Sequence, residues 1–328
     1  MKKNVLFAVL VTVVIPVILF SIIYSLEDLS IDNSDHQTDP EMEVQKDDVH
    51  HELSISVIMN NGIESMMLED YIVGVVLGEM PAHFDEDALM AQAIVARTYA
   101  CKSIVSSKHQ EADVCTDSAC CQAYISPDIY LESGGDILFT EKVEQSVSTT
   151  KGVVLVYQGE LIEATYFSCS GGRTEPAYAV WGTDVPYLQA VDSPGEEEAV
   201  HYTDTVVFSS DEFCQKLGNT FSGPSEGWIE EISYTDGGGV AFITLGGRRY
   251  TGTEIRKMLN LRSTAFVISA MGDNVIVTTK GFGHRVGMSQ YGAQALAQQG
   301  ESYETILKHY YPGTELTVYA VDNDSLME

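Results

Sequence analysis

The sequence predicts an α+β fold, in which helices and antiparallel strands are interspersed around a substrate groove, preceded by one N-terminal transmembrane helix. Two observations predict the folded part. Apolar segments with a helical period occur at 69–79 and 86–105, whereas β-branched and aromatic runs typical of strands recur from residue 53 onwards. These segments do not follow the regular rhythm of βαβ units, which favours the α+β class.

The first 27 residues have the pattern of a membrane anchor. Lys2 and Lys3 precede a nearly unbroken apolar run over 5–23, and roughly twenty such residues suffice to cross the hydrocarbon core of a bilayer. The lysines predict a cytoplasmic N-terminus, so residues 1–27 are interpreted as a cytoplasmic tip and a single-pass anchor. No small-residue cleavage pattern is evident after the run, which favours an anchor over a cleaved signal peptide.

Residues 28–52 are acidic and polar, and they predict a flexible linker because they contain too few apolar side chains to offset the entropy of ordering. The remaining residues, 53–328, are predicted to form one extracytoplasmic domain. The net charge of −30 argues against nucleic acids, anionic lipid surfaces and other acidic polymers as main partners. It favours a neutral or cationic substrate.

The elements of the domain follow from hydrophobic periods and turn residues. Helices are predicted at 69–79, 86–105, 209–217, 252–259, 289–298 and 301–310. Strands are predicted at 53–59, 152–157, 161–167, 240–245, 265–269, 275–279 and 315–320. A glycine-containing turn separates the second and third strands, which predicts a hairpin, and residues 106–124 are predicted to be a polar loop.

The segment Glu79-Met80-Pro81 places a carboxylate beside a forced helix break. Proline disfavours the helical conformation for the residue before it, so the first helix is predicted to stop near Met80. Asp85 can then cap the second helix, with acidic residues in its first turn. Glu79 therefore lies at a corner, in a partly apolar setting that would raise its pKa, and is a candidate catalytic acid.

Two further segments carry candidate binding groups. The glycine-rich stretch 281–293 contains His284, Ser289 and Gln290 just before a helix; phosphate binding is an alternative, although the pattern matches neither the Walker nor the dinucleotide motif. The stretch 166–182 combines small hydroxyl residues, paired glycines and aromatics, which suit a sugar site. Ser168, within it, lacks the Gly-x-Ser-x-Gly pattern of a hydrolase nucleophile.

Four potential metal ligands lie within the polar loop, at His109, Cys115, Cys120 and Cys121. Zinc favours such sets of sulfur and imidazole, and four protein ligands would leave no open position, so the metal would be structural. Disulfide bonds are the alternative in an exported domain. The adjacent pair can scarcely bond to each other, so disulfides would need a partner among Cys101, Cys169 and Cys214.

Three motifs together resemble the stage II sporulation protein D family, which is shared with bacterial amidase enhancers. They are Glu-Met-Pro followed by Ala-Leu-Met-Ala-Gln-Ala-Ile-Val-Ala-Arg-Thr-Tyr, then Ser-Gly-Gly-x-Thr-Glu with Val-Trp-Gly, and finally His-x-Val-Gly-Met-Ser-Gln-Tyr-Gly-Ala. They span about 70–300, nearly the whole domain. One departure is visible, because Arg285 stands where the family commonly has glycine after the histidine.

The resemblance implies a lytic transglycosylase that cuts peptidoglycan glycan strands lacking stem peptides, leaving 1,6-anhydro-muramyl ends, during engulfment of the forespore. It implies Glu79 as the catalytic acid, zinc in the polar loop, and a sporulation amidase and a membrane scaffold protein as partners. The domain would face the septal space from the mother-cell membrane. The substrate-binding residues implied are Arg97, Ser168, Ser170, Gly171, Thr174, Glu175, His284, Ser289, Gln290 and Tyr291.

Some roles stay open at this point. Arg97 lies on an apolar helical stripe and needs an anionic partner, which Glu175 or the groove could supply; the alternatives are structural support of the helix and contact with the substrate. Glu175 is also the first candidate for a second catalytic carboxylate, should the enzyme be a hydrolase. Two other functions use the same residues: a glycan-binding enhancer of a partner amidase that cuts nothing itself, and a metal-dependent hydrolase at the cysteines.

Overall fold

A computed structural model of the protein describes residues 53–319 of the 328 in the chain. The predicted anchor, residues 1–27, and the predicted linker, residues 28–52, lie outside the described residues. Among the residues described, no helix is both long enough and apolar enough to cross a bilayer. The described part combines helices with mainly antiparallel sheets, as the predicted α+β class requires.

The helices and strands are numbered in chain order over the described residues. The helices are α1 Leu68–Glu79, α2 Glu86–Val105, α3 Pro127–Glu132, α4 Ile137–Thr149, α5 Ala177–Trp181, α6 Ser210–Leu217, α7 Gly252–Leu259, α8 Gln290–Gln298 and α9 Tyr303–Tyr310. The strands are β1 Ser54–Met59, β2 Gly62–Met67, β3 Val114–Cys115, β4 Val153–Tyr157, β5 Glu160–Leu161, β6 Tyr166–Phe167, β7 Thr203–Ser209, β8 Ile229–Tyr234, β9 Val240–Leu245, β10 Arg248–Thr251, β11 Phe266–Met271, β12 Asn274–Lys280, β13 Met288–Ser289 and β14 Glu315–Val318.

The first hydrophobic core is built around helix α2, which packs against α1, α4, α8, α9 and strand β4. Helix α1 ends where the proline predicts, because Met80 has an extended backbone with φ −123° and ψ 140°. Asp85 caps α2 as predicted, and its Oδ1 accepts a hydrogen bond from the Asp87 N–H at 3.2 Å. The helix is buried along most of its length because its surface is rich in alanine, which allows close packing from several sides.

The strands form small sheets rather than one large one. Their orders are β2-β1-β3, β14-β4-β5, β13-β6, β10-β9-β8 and β11-β12-β7. Pairing is antiparallel except between β1 and β3 and between β6 and β13. The last two sheets, with helices α6 and α7, enclose a second hydrophobic core between residues 206 and 277 that includes Phe213, Trp228 and Ile243.

The predicted hairpin is present, because β4 and β5 pair antiparallel, but the prediction of one strand over 161–167 is wrong. The strand after the turn is limited to β5, and Tyr166 and Phe167 form β6, which pairs in parallel with Met288 and Ser289 of β13. The run contains enough β-branched and aromatic residues for a strand. The backbone of its second half, however, hydrogen-bonds to a segment that is distant in the chain. This pairing brings the two segments with candidate binding groups together.

Candidate functional site

Glu79 is the last residue of α1 and is half-buried. The backbone leaves the helix at Met80, whose N–H still donates to the Val76 carbonyl at 3.0 Å. The Glu79 side chain therefore projects from the end of a rigid element at a sharp change of direction. This corner position agrees with the sequence prediction.

Two groups from other segments hold the Glu79 carboxyl. The Ala123 N–H donates to Glu79 Oε1 at 2.6 Å, and the Tyr166 hydroxyl makes a side-chain hydrogen bond with the same carboxyl group. Burial raises the pKa of Glu79 above its ordinary value, and the two hydrogen bonds oppose that shift. The net effect favours a carboxyl that can hold a proton closer to neutral pH than an exposed glutamate can.

A buried amide orients the tyrosine. Gln122 is 1% exposed; its Oε1 accepts from the Tyr71 hydroxyl at 3.3 Å, and its Nε2 donates to the Tyr166 hydroxyl oxygen at 3.2 Å. Because the oxygen of Tyr166 accepts from this amide, its own hydrogen is available for Glu79. Sequence reasoning missed Gln122 and Tyr166 in this role, because nothing in their local pattern predicts contact with Glu79.

The predicted metal ligands converge. The ligand atoms of His109, Cys115, Cys120 and Cys121 all lie within 4.8 Å of one another. His109 Nε2 lies 3.4 Å from Cys121 Sγ and 3.8 Å from Cys120 Sγ, and the two sulfurs are 3.9 Å apart. A tetrahedral zinc ion with ordinary bond lengths needs ligand atoms about 3.5–3.8 Å apart. The separations among His109, Cys120 and Cys121 are close to this spacing, and the donor set of one imidazole and three thiols suits such an ion.

The same loop, residues 106–124, carries the partners of Glu79. Cys121 directly precedes Gln122 and Ala123, so the metal-ligand cluster and the groups that hold the carboxyl share one short piece of backbone. All six cysteines fall within the described residues and all are free thiols in the structure, including Cys101, Cys169 and Cys214. Zinc itself stays a prediction.

A buried carboxylate that the sequence did not predict organises the Ser-Gly-Gly loop. Glu196 is 1% exposed, and its Oε2 accepts from the Ser170 N–H, the Ser170 hydroxyl and the Gly171 N–H, each at 2.8 Å. Its Oε1 accepts from the hydroxyls of Ser193 and Ser289. The hydroxyls of Ser170 and Ser289, predicted to contact substrate, are therefore used within the protein. Glu196 lies in a run of glutamates that gave no signal of burial.

The second buried carboxylate is Glu175, which pairs with Arg285 at 3.0 Å. Arg285 also donates to the carbonyls of Ser170, Arg173 and Gly237, at 2.6, 2.7 and 2.7 Å. The Arg285 backbone has φ +68°, a region that glycine adopts without strain, which suits the position where the family commonly has glycine. This ion pair joins the Ser-Gly-Gly loop to the turn between β8 and β9.

The partner expected for Arg97 is corrected by these contacts. Arg97 is fully buried and makes a bidentate ion pair with Glu69, with Nη2 to Oε2 at 2.6 Å and Nε to Oε1 at 2.9 Å. Glu69 lies in the first turn of α1, and Glu175 is occupied by Arg285. Arg97 therefore stabilises the packing of α2 against α1. Its side chain has no exposed surface, so nothing in the structure favours a contact with substrate.

The remaining predicted binding residues differ in accessibility. Thr174 is buried, and its Oγ1 accepts from the Val191 N–H at 2.8 Å. Gly171 has φ +79° and no room for a side chain beside Lys280. Gln290 is 5% exposed, whereas Ser168 and Tyr291 are half-buried.

His284 is held as a neutral imidazole between two aromatic rings. Its Nδ1 accepts from the Val286 N–H at 3.1 Å, and its ring centroid lies 5.6 Å from that of Phe167 and 5.4 Å from that of Trp181. Burial lowers the pKa of His284 to about 4, with the charge of Arg256 acting in the same direction. A hydrogen bond to the Tyr166 backbone links it to the strand that reaches Glu79. The third motif therefore adjoins the first through β6.

Two cavities of the described residues lie away from this carboxyl. One of about 390 Å³ lies at the start of α2 and is lined by residues 83–87, Lys142, Gln294 and Gln298. Another of about 710 Å³ lies beside α6 in the second core, lined by Ser210, Asp211, Cys214, Gln215, Gly218, Asn219, Thr220, Phe221 and Trp228. A substrate groove at Glu79 stays a prediction.

Comparison with known proteins decides the family. A family model described as "Stage II sporulation protein" matches residues 59–157. Stage II sporulation protein D from Bacillus subtilis (strain 168) and from Bacillus amyloliquefaciens are each 39% identical to the chain over 264 residues, which cover 79% of this chain and 76% of the relative. The chain belongs to the stage II sporulation protein D family. It is also 29% identical to the amidase enhancer of B. subtilis (strain 168) over 300 residues, 75% of this chain and 40% of that protein.

The chain is thus a member of a sporulation protein family. The segment matched by the family model contains part of the candidate site. Residues 59–157 include α1, α2 and the loop with the metal-ligand cluster. They contain Glu79 and its partner Ala123, while Tyr166 and Glu196 lie beyond them. The family resemblance expected from the three motifs is thus confirmed.

The ion pair of Arg285 predicts a large stability effect. Replacing Arg285 by Met leaves Glu175 buried without a charge partner, so the free energy of unfolding should fall by about 3–5 kcal/mol. Urea unfolding followed by circular dichroism measures the change. Lys102→Met is the matched control, because Lys102 pairs with Glu163 at 2.8 Å on the surface and should cost about 1 kcal/mol or less. Equal losses in the two variants would contradict the assignment.

Proposed function

We propose that this member of the stage II sporulation protein D family is a lytic transglycosylase that cleaves peptidoglycan glycan strands lacking stem peptides. The observation that carries the proposal is the half-buried Glu79 carboxyl, held by the Ala123 N–H and the Tyr166 hydroxyl at a helix end. Glycosidic cleavage requires a protonated carboxyl at the leaving oxygen. A raised pKa supplies that protonated form.

A single carboxylate suffices for this reaction. Glu79 first donates its proton to the glycosidic oxygen, and it then accepts the proton of the sugar's own C6 hydroxyl as that oxygen attacks the anomeric carbon. The product is a 1,6-anhydro end, and Glu79 regains its proton. A hydrolase would ordinarily need a second carboxylate. Among the described residues, the influences on the pKa of Glu79 are burial, Ala123 and Tyr166, and the earlier candidate Glu175 is buried in its ion pair.

The biological setting extends the proposal. The enzyme would act during engulfment of the forespore, anchored in the mother-cell membrane with its domain in the septal space. A sporulation amidase that strips stem peptides would precede it, and a membrane scaffold protein would hold both together. The relative named amidase enhancer supports a link to an amidase. The second candidate function, a glycan-binding enhancer, uses the same groove but does not need Glu79 as an acid.

Zinc in the loop of His109 and the cysteines completes the proposal. The ion would be held by four ligands, His109, Cys115, Cys120 and Cys121. These ligands would fill its tetrahedral shell, so it would crosslink the loop and have no open position for a substrate. Within the described residues, the loop is anchored at 112–115 by buried side chains and by the pairing of β3 with β1, whereas 106–108, 110–111 and 117–120 are exposed, so apolar burial contributes little to the order of the segment that carries Cys120. Fixing Cys121 fixes Gln122 and Ala123, and these two residues hold Tyr166 and Glu79.

Glu79→Gln separates the enzyme from the binding module. Loss of the acid should reduce cleavage by at least about 10²–10⁴-fold and remove anhydro ends, while glycan binding survives, because glutamine keeps the shape but has no acidic proton. Mass spectrometry of products from purified peptide-stripped strands measures this result. Glu144→Gln, an exposed carboxylate on α4, is the control and should cleave normally. Full activity of Glu79→Gln, or reducing ends in place of anhydro ends, would contradict the proposal.

Tyr166→Phe tests the hydrogen bond to Glu79 through pH. The hydroxyl stabilises the ionised carboxylate, so its removal should raise the pKa of Glu79 further. An acid is lost as pH rises through its pKa, so the alkaline limb of the kcat/KM profile should move up by about one pH unit. Tyr130→Phe on α3 is the matched control and should leave the limb in place. If the alkaline limb of Tyr166→Phe lies at an unchanged or lower pH, the Tyr166 hydroxyl does not stabilise the ionised Glu79 carboxylate.

Metal content tests the loop. Purified protein should contain one equivalent of zinc, which Cys115→Ser loses and Cys214→Ser, outside the cluster, keeps. Chelation should lower the melting temperature, open residues 106–124 to proteolysis and abolish cleavage together, because the ion acts through Gln122 and Ala123. Elemental analysis, thermal unfolding and limited proteolysis give the three readouts. If chelation abolishes activity but leaves the melting temperature and the proteolysis of residues 106–124 unchanged, the metal-dependent hydrolase is favoured instead. If the protein is active without zinc, the proposed structural zinc site is wrong.

A further inference from the structure

Helix α5 presents two large aromatic side chains to solvent. Tyr178 is 44% exposed and Trp181 is 46% exposed, and their spacing of three residues places them on one face of the helix. Exposed aromatic surface of this size is characteristic of binding sites, since it offers apolar contact area at a low cost in side-chain entropy. The reaction at Glu79 does not use either ring.

Both rings are fixed before any ligand arrives. The Trp181 ring packs against His284, with centroids 5.4 Å apart at 54°. The Tyr178 hydroxyl donates to Asp236 Oδ2 at 2.8 Å. A surface that is already ordered loses less conformational freedom on binding than a mobile one does.

Asp236 comes from the second core, in the turn between β8 and β9, and its position is held by the Ser-Gly-Gly loop. Arg173 Nε donates to the Asp236 carbonyl at 2.9 Å. The buried Arg285 donates to the next carbonyl, that of Gly237, at 2.7 Å. The turn that presents the Asp236 carboxylate to Tyr178 is therefore tied to the first core by two guanidinium groups. The surface made by Tyr178, Trp181 and Asp236 spans both cores and is fixed where they meet.

This surface is connected to the carboxyl of Glu79 through two residues. Trp181 contacts His284, His284 hydrogen-bonds the Tyr166 backbone, and the Tyr166 hydroxyl reaches Glu79. Because His284 and Tyr166 separate Trp181 from Glu79 in this series of contacts, the rings would contact a sugar beyond the bond being cleaved.

We infer that Trp181, Tyr178 and Asp236 form a remote subsite of the glycan cleft that binds a neutral amino sugar. The inference rests on the proposed function, because it assigns a glycan strand to the cleft. The Trp181 face covers the C–H surface of the sugar ring. Asp236 Oδ1, which has no partner among the described residues, accepts from a sugar hydroxyl or amide N–H.

The charge of Asp236 determines which sugar fits. Peptide-stripped strands alternate N-acetylglucosamine, which is neutral, with N-acetylmuramic acid, whose lactyl group is then a free carboxylate. A carboxylate placed beside Asp236 would be repelled, because both are anions. The subsite therefore takes the neutral N-acetylglucosamine and sets the register of the strand relative to Glu79.

Binding of N-acetylglucosamine oligomers, measured by calorimetry in the Glu79→Gln background, tests the subsite without any cleavage. Trp181→Ala should weaken binding roughly tenfold or more, because an anchoring aromatic is lost. Leu138→Ala, which removes a 67% exposed apolar side chain from α4, is the matched control and should bind as the parent does. Trp181→Phe should retain most of the affinity. Unchanged binding in Trp181→Ala, or equal loss in Leu138→Ala, overturns the subsite.

Asp236→Asn tests the choice of sugar. Removing the charge should increase affinity for peptide-stripped strands relative to the neutral oligomer several-fold, while the folded structure is preserved because asparagine still accepts from Tyr178. An unchanged ratio overturns the neutral-sugar assignment. These outcomes are separate from the proposed reaction: a fully active Glu79→Gln would end the transglycosylase proposal and leave the binding results standing, and normal binding by Trp181→Ala would do the reverse.

Discussion

The hydrogen bond from the Ala123 N–H to Glu79 Oε1, at 2.6 Å, ties the end of helix α1 to the loop of residues 106–124. Glu79 is followed by an extended residue, so helix α1 alone does not fix its side chain. The orientation comes from Ala123 and, through Gln122, from Tyr166. The order of this polar loop therefore decides the geometry of the Glu79 carboxyl, and the cluster of His109 and the three cysteines ends immediately before Gln122 and Ala123.

Two buried carboxylates hold together the loops that carry the second and third motifs. Glu196 gathers the backbone and hydroxyls of the Ser-Gly-Gly loop, and Glu175 pairs with Arg285. A buried charge needs compensation, which Glu175 receives from the Arg285 guanidinium and Glu196 receives from five hydrogen-bond donors. Arg285 also shows why a family glycine can be replaced. The left-handed backbone conformation costs roughly 1–2 kcal/mol in a residue with a side chain, and its guanidinium makes contacts with two loops that glycine cannot make.

Features that depend on neighbouring residues in the chain could be predicted from the sequence. The proline break after Glu79, the Asp85 cap, helix α2 and the convergence of His109 with the cysteines follow from spacing and propensity, and the structure has them. The pairing of β6 with β13 could not be predicted, because each strand has two residues and the partners are far apart in the chain. The burial of Glu196 and the choice of Glu69 as partner of Arg97 depend on the same long-range packing. The hydroxyls of Ser170 and Ser289, predicted to contact substrate, donate to Glu196 for the same reason.

The acidity of the chain limits how it could bind the proposed glycan substrate. With 48 acidic and 18 basic residues, the protein repels an anionic strand at long range, although salt screens exposed charges beyond about 8 Å. Contacts that do not depend on net charge, such as aromatic faces, act at shorter distances than this. The same consideration favours a reaction with one carboxylate. A second ionised group beside Glu79 would add to the repulsion of the strand, whereas an acid that recovers its proton from the sugar leaves the charge of the cleft unchanged over the cycle.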